Sequence, residues 1–421
     1  MSDQETLVYV DVKGHPTLVG RLWSRYRHSR ESATFEYDRA WLTHPERFAL
    51  EPALSLGRGA HHTSIDQRLF GALGDSAPDR WGRNLMLRSE RRRASQEGRA
   101  PQSLGEIDFL LLVDDEARQG ALRFAFQEGG PYLAAGKASR IPPFIELPRL
   151  LQASERVVTE SDTEDDLRLL LAPGSSLGGA RPKAVIRDRN RNLAVAKFPH
   201  RNDEIEVEKW EALALVLAER AGIVVPRWRT ESILDKTVLL LERFDRQQDL
   251  RIPFLSAMSM IGARDHESHS YLEIVDAIRR YGAQPDADCR ELWRRMVFNV
   301  LVTNTDDHLR NHGFLYVSGR GWKLSPAYDM NPIPIDMKPR NMTTSITPDD
   351  DRASLELALE FAEYFGLDQT KAQRIAAEVG AAVTGWRGEA IRHQLTSSAI
   401  DRMASAFEHR DLDLALAFRQ G

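Results

Sequence analysis

The order of apolar and polar positions divides the chain into a strand-rich front and a helix-rich back. Thr6 to Trp23, "TLVYVDVKGHPTLVGRLW", alternates with period two about a Gly-containing turn and predicts two strands. Ser32 to Leu42 reads as another strand, and Ala77 to Ala100 as a helix rich in arginine. Ser103 to Phe126 reads as a buried helix followed by a strand. The Gly-, Ala- and Pro-rich stretch Glu128 to Phe144 reads as a linker, which closes a first mixed domain at about residues 1–140.

A second domain, 141–250, opens with a short helix around Glu146–Glu155 and the acidic stretch "TESDTEDD", a loop or helix start. A glycine-rich turn follows, then strands at Lys183 to Arg187 and Leu193 to Phe198. Glu204 to Ile223 carries apolar residues three and four apart and stops at Gly222, so it is a helix. "VPRWRTESILDKTVLLLERFD" supplies two more strands. Over 251–421 helical patterns dominate, except for one hairpin, "GFLYV-SGRG-WKLSP".

Composition narrows the class only a little. The 421 residues carry a net charge of −5, so the whole chain is not a polyanion binder by bulk charge. The arginines of 77–100 read as a solvated helix face rather than a nucleic-acid contact. The single cysteine, Cys289, cannot form an internal disulfide. No stretch has the length of a membrane span, and the start lacks signal-peptide features; a cytoplasmic protein is expected.

The candidate chemistry lies in "VFNVLVTNTDDHLRNHGFLYV", Val297 to Val317. An apolar helix delivers Asp306 and, five residues on, Asn311; a hairpin follows, and Tyr328 and Asp329 come after it in "LSPAYDMNP". That order suits phosphoryl transfer. One carboxylate orients the attacking hydroxyl, while an amide and a second carboxylate hold magnesium on nucleotide phosphates. Protein-kinase catalytic loops space Asp and Asn the same way, although HRD and DFG are not spelled here. Upstream, "SSLGGARPK" supplies a flexible turn and Lys197 a strand lysine in "LAVAKF". A helix with Glu208 and Glu211 follows, and "LLLERFD" has the character of a hinge strand. Each Asp alone would usually be a cap or turn residue; the ordered set argues for a site.

These residues resemble the HipA family of serine/threonine kinases, the toxins of bacterial HipBA-type toxin–antitoxin modules. The resemblance rests on "TFEYDRAWL", "PDRWGR" and "DFLLLVDDEARQGALRF" in the front part. In the back it rests on "SSLGGARPKA", "AVAKFP", "LERFDR", "NTDDHLRNHGFL" and "LSPAYDMNP". It implies an α+β, protein-kinase-like two-lobed fold with an extra N-terminal α/β subdomain and an all-helical C-terminal lobe. It implies Asp306 as the catalytic aspartate, Asn311 and Asp329 as magnesium ligands, and His308 in the nucleotide-contacting loop. Lys197 matches the ATP-phosphate lysine, and Gly178, Gly179, Ala180, Arg181, Pro182 and Lys183 the phosphate-binding loop. Glu242, Arg243 and Phe244 match the adenine hinge. Ser176 lies where the family carries an inhibitory autophosphorylation serine, with Ser175 as the alternative.

The implied cofactors are ATP and Mg2+, and the implied partners a separately encoded HipB-like helix-turn-helix antitoxin, a protein substrate and operator DNA. The substrate implied is a translation component such as an aminoacyl-tRNA synthetase. Lys371, Arg374 and Arg387 are only weak candidates for DNA contact. Asp307 departs from members that carry glycine there and adds a charge beside the expected base. Three other readings stay open: a small-molecule kinase, a pseudokinase acting as a DNA-associated corepressor, and a DNA-binding protein in its own right.

Overall fold

The computed structural model describes residues 4–27, 30–135, 141–174 and 179–419. The chain forms two compact units, one of Met1–Asn202 with Glu231–Leu255 and one of Asp203–Thr230 with Ser256–Gly421.

The first unit opens with β1 (Gln4–Val12), β2 (His15–Arg27) and β3 (Arg30–Tyr37). With β4 (Ala60–His62) and β5 (Leu122–Ala125) they form a five-stranded antiparallel sheet of order β4-β3-β2-β1-β5. Gly20 is required in β2 because a Cβ there would lie 2.4 Å from the Glu36 carbonyl oxygen. The strand expected to run from Ser32 to Leu42 ends at Tyr37. Asp38 accepts from the Ala40 amide at 2.8 Å and caps α1 (Arg39–Thr43) instead.

Helices α2 (Gly71–Gly74), α3 (Arg80–Gln96), α4 (Glu106–Leu112), α5 (Leu147–Val158) and α6 (Glu164–Gly174) follow. The acidic stretch before α6 has a structural use. Asp162 is buried and takes both Arg88 and Arg92 of α3 at 2.8 Å, so part of the arginine face expected to be solvated is paired. Among the acids, Glu164, Asp165 and Asp166 stand in the first turn of α6, where negative charge favours a helix.

A second antiparallel sheet runs β6 (Lys183–Arg187), β7 (Leu193–Lys197), β9 (Lys236–Glu242), β8 (Trp228–Ile233), and the boundary between the units falls within β8. Ala184, Ile186, Ala194, Ala196, Val238 and Leu240 from this sheet pack with Leu147, Leu150 and Leu151 of α5 and with Trp81 and Leu85 of α3. The i, i+3, i+4 spacing on α5 aims its leucines at the sheet.

The second unit is helical apart from short strands. It holds α7 (Val207–Arg220), α8 (Ala257–Ile261), α9 (Tyr271–Tyr281) and α10 (Pro285–Leu301), then the hairpin Gly313–Val317 and Gly321–Leu324. Helices Gln369–Val383, Trp386–Arg392, Ser397–Phe407 and Arg410–Ala417 complete it. Trp386 stacks on Phe407 with centroids 4.6 Å apart, and Trp210 of α7 tilts against both. Among the described residues, no helix is long and apolar enough to cross a membrane.

Candidate active site

Helix α10 is almost wholly buried over Leu292–Leu301, and its apolar face fixes where the following loop begins. Thr303 then takes φ +52° while fully buried, a conformation that β-branched residues rarely hold. Its hydroxyl donates to the Ala406 carbonyl at 2.8 Å, which anchors the turn.

Two adjacent aspartates leave this turn in different environments. The Asp306 side chain is 67% exposed. Its backbone carbonyl accepts from the His308 amide at 2.9 Å and from the Asn311 side-chain amide at 3.3 Å. Asn311 is itself held by its backbone N–H on the His308 carbonyl at 2.7 Å. Asp307 is buried and accepts from the Tyr271 hydroxyl, with His312 Nε2 2.9 Å from the same oxygen. Burial pushes the Asp307 carboxyl upward, but the His312 and Tyr271 contacts outweigh it and hold the group below the ordinary carboxylate value. The charge that the sequence adds beside Asp306 is thus a buried, hydrogen-bonded one.

A relay of amides ties this loop to the segment beyond the hairpin. Asn299 donates to the Tyr271 oxygen at 3.1 Å, Asn304 to the Asn299 oxygen at 3.0 Å, and the Asn331 backbone to the Asn304 oxygen at 3.3 Å. The Asn331 side chain then donates to Asp329 Oδ1 at 3.2 Å. Asp329 is half-buried and sits at φ +59°. Its neighbour Tyr328 donates its hydroxyl to the Arg310 carbonyl at 2.7 Å. Asp306, His308, Asn311, Tyr328 and Asp329 are therefore joined into one hydrogen-bonded assembly within the second unit.

The donor set suits magnesium. Asn311 spends an N–H on the Asp306 carbonyl, and its oxygen and the Asp329 carboxylate are hard ligands. Magnesium commonly takes one or two protein oxygens and completes its shell with phosphate and water. Among the described residues no group of three or more His, Cys, Asp or Glu gathers as a self-sufficient metal cage.

In the first unit the expected nucleotide residues lie at the start of β6, the end of β7 and the end of β9. Ser175, Ser176 and Gly178 fall outside the described residues. Gly179 has φ +103°, a conformation glycine permits. Ala180 and Arg181 lead to Pro182, whose carbonyl accepts from the Phe198 amide at 3.0 Å. Lys183 and Lys197 are paired in register across β6 and β7. The Lys183 ammonium is buried 2.7 Å from Asp79, and its carbonyl accepts from the Trp81 indole at 3.0 Å. Burial pushes the Asp79 carboxyl up from its ordinary value, and Lys183 pulls it back.

At the expected hinge, Glu242 accepts from Asn192 at 3.1 Å. The Arg243 side chain turns into the core, bound to Asp245 at 2.6 and 2.9 Å and to the Arg118 carbonyl at 3.0 Å. Phe244 lies 6.3 Å from the Phe254 ring. Glu208 and Glu211 are buried on α7 in the second unit.

Sequence reasoning did not single out Tyr271, Asn299, His312 or Asn331, nor Asp79. Lys338 was missed too; its ammonium lies 3.3 Å from Asp306 Oδ1. The only available signal was the unusual density of amides in "FNVLVTNTDD" and "YDMNP". The weak DNA candidates pair with acids: Lys371 with Asp368 at 2.9 Å and Arg387 with Glu408 at 2.6 Å, while Arg374 stands 3.9 Å from Glu378.

An antiparallel sheet with a strand lysine, a helical unit, and a loop bearing Asp306 and Asn311 before a hairpin together define a chain of kinase-like α+β fold. The chain belongs to the HipA family: the HipA-like C-terminal domain matches residues 175–386 and the HipA N-terminal domain residues 10–106. Its fold is similar to that of HipA from Shewanella oneidensis MR-1, solved with HipB and operator DNA. The TM-score is 0.69 at 16% identity, over 98% of this chain and 96% of that one. It is 28% identical over 147 residues to "Putative kinase Y4mE" of Sinorhizobium fredii (strain NBRC 101917 / NGR234), spanning 32% of this chain and 33% of that one. It is 32% identical over 100 residues to a "Putative kinase" of Haemophilus influenzae, spanning 21% of this chain and 29% of that one. The chain thus matches about a third of the length of these curated relatives.

Proposed function

We propose that this chain is an ATP-dependent serine/threonine protein kinase of HipA type. The observation that carries the reading is the contrast at the loop. Asp306 is exposed, while Asp307 beside it is locked in a relay that reaches Asp329. In this reading Asp306 orients the attacking hydroxyl and accepts its proton. Asn311 and Asp329 would hold magnesium, which when bound neutralises charge on the nucleotide phosphates. Lys197 positions the phosphates, with Gly178, Gly179, Ala180, Arg181, Pro182 and Lys183 as the loop over them. Glu242, Arg243 and Phe244 present backbone to adenine; the inward-turned Arg243 side chain suits that role. His308 and Tyr328 complete the nucleotide contacts. Catalysis of this kind is mostly positioning and electrostatics.

The same reading assigns 1–140 as the family's N-terminal subdomain, 141–250 as the small lobe and 251–421 as the large lobe. It takes a protein hydroxyl as acceptor, a translation component such as an aminoacyl-tRNA synthetase as target, and Ser176, or Ser175, as a self-inhibitory phosphorylation site. It takes a HipB-like antitoxin as partner, with operator DNA reached through that complex. Support for the partner is the fold's likeness to HipA seen with HipB and operator DNA.

The test is intact and peptide mass after incubation with ATP and magnesium, beside Asp306→Asn. Added phosphate on the wild type alone supports the reading. A variant that keeps full transfer sinks it, and ATP binding without any transfer, to itself or to protein targets, favours a pseudokinase.

A further inference from the structure

We infer that Lys338 is a positioning residue for Asp306, acting on phosphoryl transfer through the aspartate; this deepens the kinase reading and rests on it. The Lys338 ammonium lies 3.3 Å from Asp306 Oδ1, 3.2 Å from the Thr305 carbonyl and 3.4 Å from the Thr343 hydroxyl. Those three acceptors fix the cation beside the loop rather than in open solvent. Thr343 donates to the same Thr305 carbonyl through its amide at 3.0 Å and its hydroxyl at 2.8 Å, and the Thr344 amide reaches the Asp307 carbonyl at 3.1 Å. The segment that carries Lys338 is thereby laced along the loop at residues 305–307.

The loop's own arginine does not serve here. Arg310 is engaged bidentately by Asp265 at 2.6 and 3.2 Å. Lys338 is the cation paired with Asp306 among the described residues. A carboxylate that accepts a hydroxyl proton must face that hydroxyl, and it stands close to the negative oxygens of the phosphoryl being transferred. An ammonium in contact with one carboxylate oxygen fixes the rotamer and leaves the other for the acceptor. It also offsets the repulsion between carboxylate and phosphoryl. The contacts are long, as catalytic hydrogen bonds often are before substrate closes on them.

The backbone near Lys338 does not depend on its side chain. The Ile335 amide donates to Ser405 Oγ at 3.1 Å, Asp336 pairs with Arg402 at 2.9 Å, and the Met337 amide closes a turn on the Pro334 carbonyl at 3.0 Å. Removing the ammonium should therefore leave the fold in place.

The experiment uses the full chain with ATP and magnesium and compares wild type, Lys338→Met, Lys338→Arg, Asp306→Asn and the Asp306→Asn/Lys338→Met double variant. Transfer rates come from phosphate mass, and ATP affinity and thermal midpoint are measured on each. Lys338→Met is expected to lower kcat about 100-fold, the scale of a misplaced reacting group, with ATP affinity and midpoint unchanged. Lys338→Arg should recover much of the rate, and the double variant should be no slower than Asp306→Asn. Wild-type kcat in Lys338→Met, or a double variant slowed by the full product of the single losses, overturns the inference while leaving the kinase reading intact. A wild-type chain with no transfer at all overturns both.

Discussion

Lys183 Nζ and Asp79 Oδ2 meet at 2.7 Å although 104 residues separate them, and both side chains are only 5% exposed. Asp79 also caps α3 through the Gly82 amide at 2.7 Å. The pair therefore pins the start of β6 to a helix of the front part. Removing one partner strands a buried charge, which typically costs about 3–5 kcal/mol. Lys183→Met and Asp79→Leu should each lower the unfolding free energy of the first unit by that order, read from denaturant unfolding. The double variant should recover at least half of the loss, since no lone charge remains. Equal additive losses would show that the pair is not coupled.

Glu51 offers a pH signature. It is buried, and its carboxylate accepts from the Ala72 amide. Burial pushes its pKa up to about 8, the Ala72 contact opposes this, and Asp75 adds to it. The folded chain therefore holds this proton over a range where the unfolded chain, near 4.5, has released it. Stability from this group is full below the unfolded value and falls as pH rises through the window from 4.5 to about 8. Glu51→Gln keeps the acceptor and removes the ionisation. It should flatten the decline by a few kcal/mol, on the order that linkage gives for such a shift. Parallel stability–pH curves for the two proteins would refute the assignment.

How much could be read in advance follows from what each feature depends on. Strand β6 at Lys183–Arg187 and the hairpin at Gly313–Val317 were legible because short apolar runs sit between turn residues. The order Asp306, Asn311, Asp329 stands out in the sequence because it is a matter of local spacing. The end of β3 was not legible, because the Asp38 cap, rather than any break in the apolar pattern, stops the strand. Helix α6 was read only as an acidic loop or helix start; its leucines become a face once α3 and α5 are beside it. Lys338 lies in "IPIDMKPRN", which has no periodicity, and only tertiary structure brings it to Asp306.

The Asp307 cluster should behave as a unit. Tyr271→Phe removes the hydroxyl that donates to Asp307 and accepts from Asn299. A buried carboxylate and a buried amide each lose a partner, so a cost of about 1–3 kcal/mol is expected. The Asp307 carboxyl is held below its ordinary value, so its contribution is present above the unfolded pKa of 3.8 and is lost as pH falls through the folded value. Asp307→Asn should consequently make the second unit less stable at neutral pH, and the deficit should shrink towards acid. A deficit that does not change on acidification would show that the ionised form is not what the cluster stabilises.

Asn331 is the one bridge in this relay that touches Asp329, through its side-chain amide at 3.2 Å, while its backbone holds Asn304 at 3.3 Å. An outer partner of this kind orients a ligand oxygen and typically contributes about 10–100-fold in metal affinity or activity when lost. Asn331→Ala keeps the backbone contact and deletes the side-chain donor. Phosphoryl transfer in this variant should need a higher magnesium concentration for half-maximal rate, by about that factor, with nucleotide affinity in the absence of metal unchanged. Manganese, which binds oxygen and nitrogen sites more tightly, should reduce the difference. A magnesium titration that superimposes on the wild type, at any rate of transfer, would show that the Asn331 amide does not orient a metal ligand at Asp329.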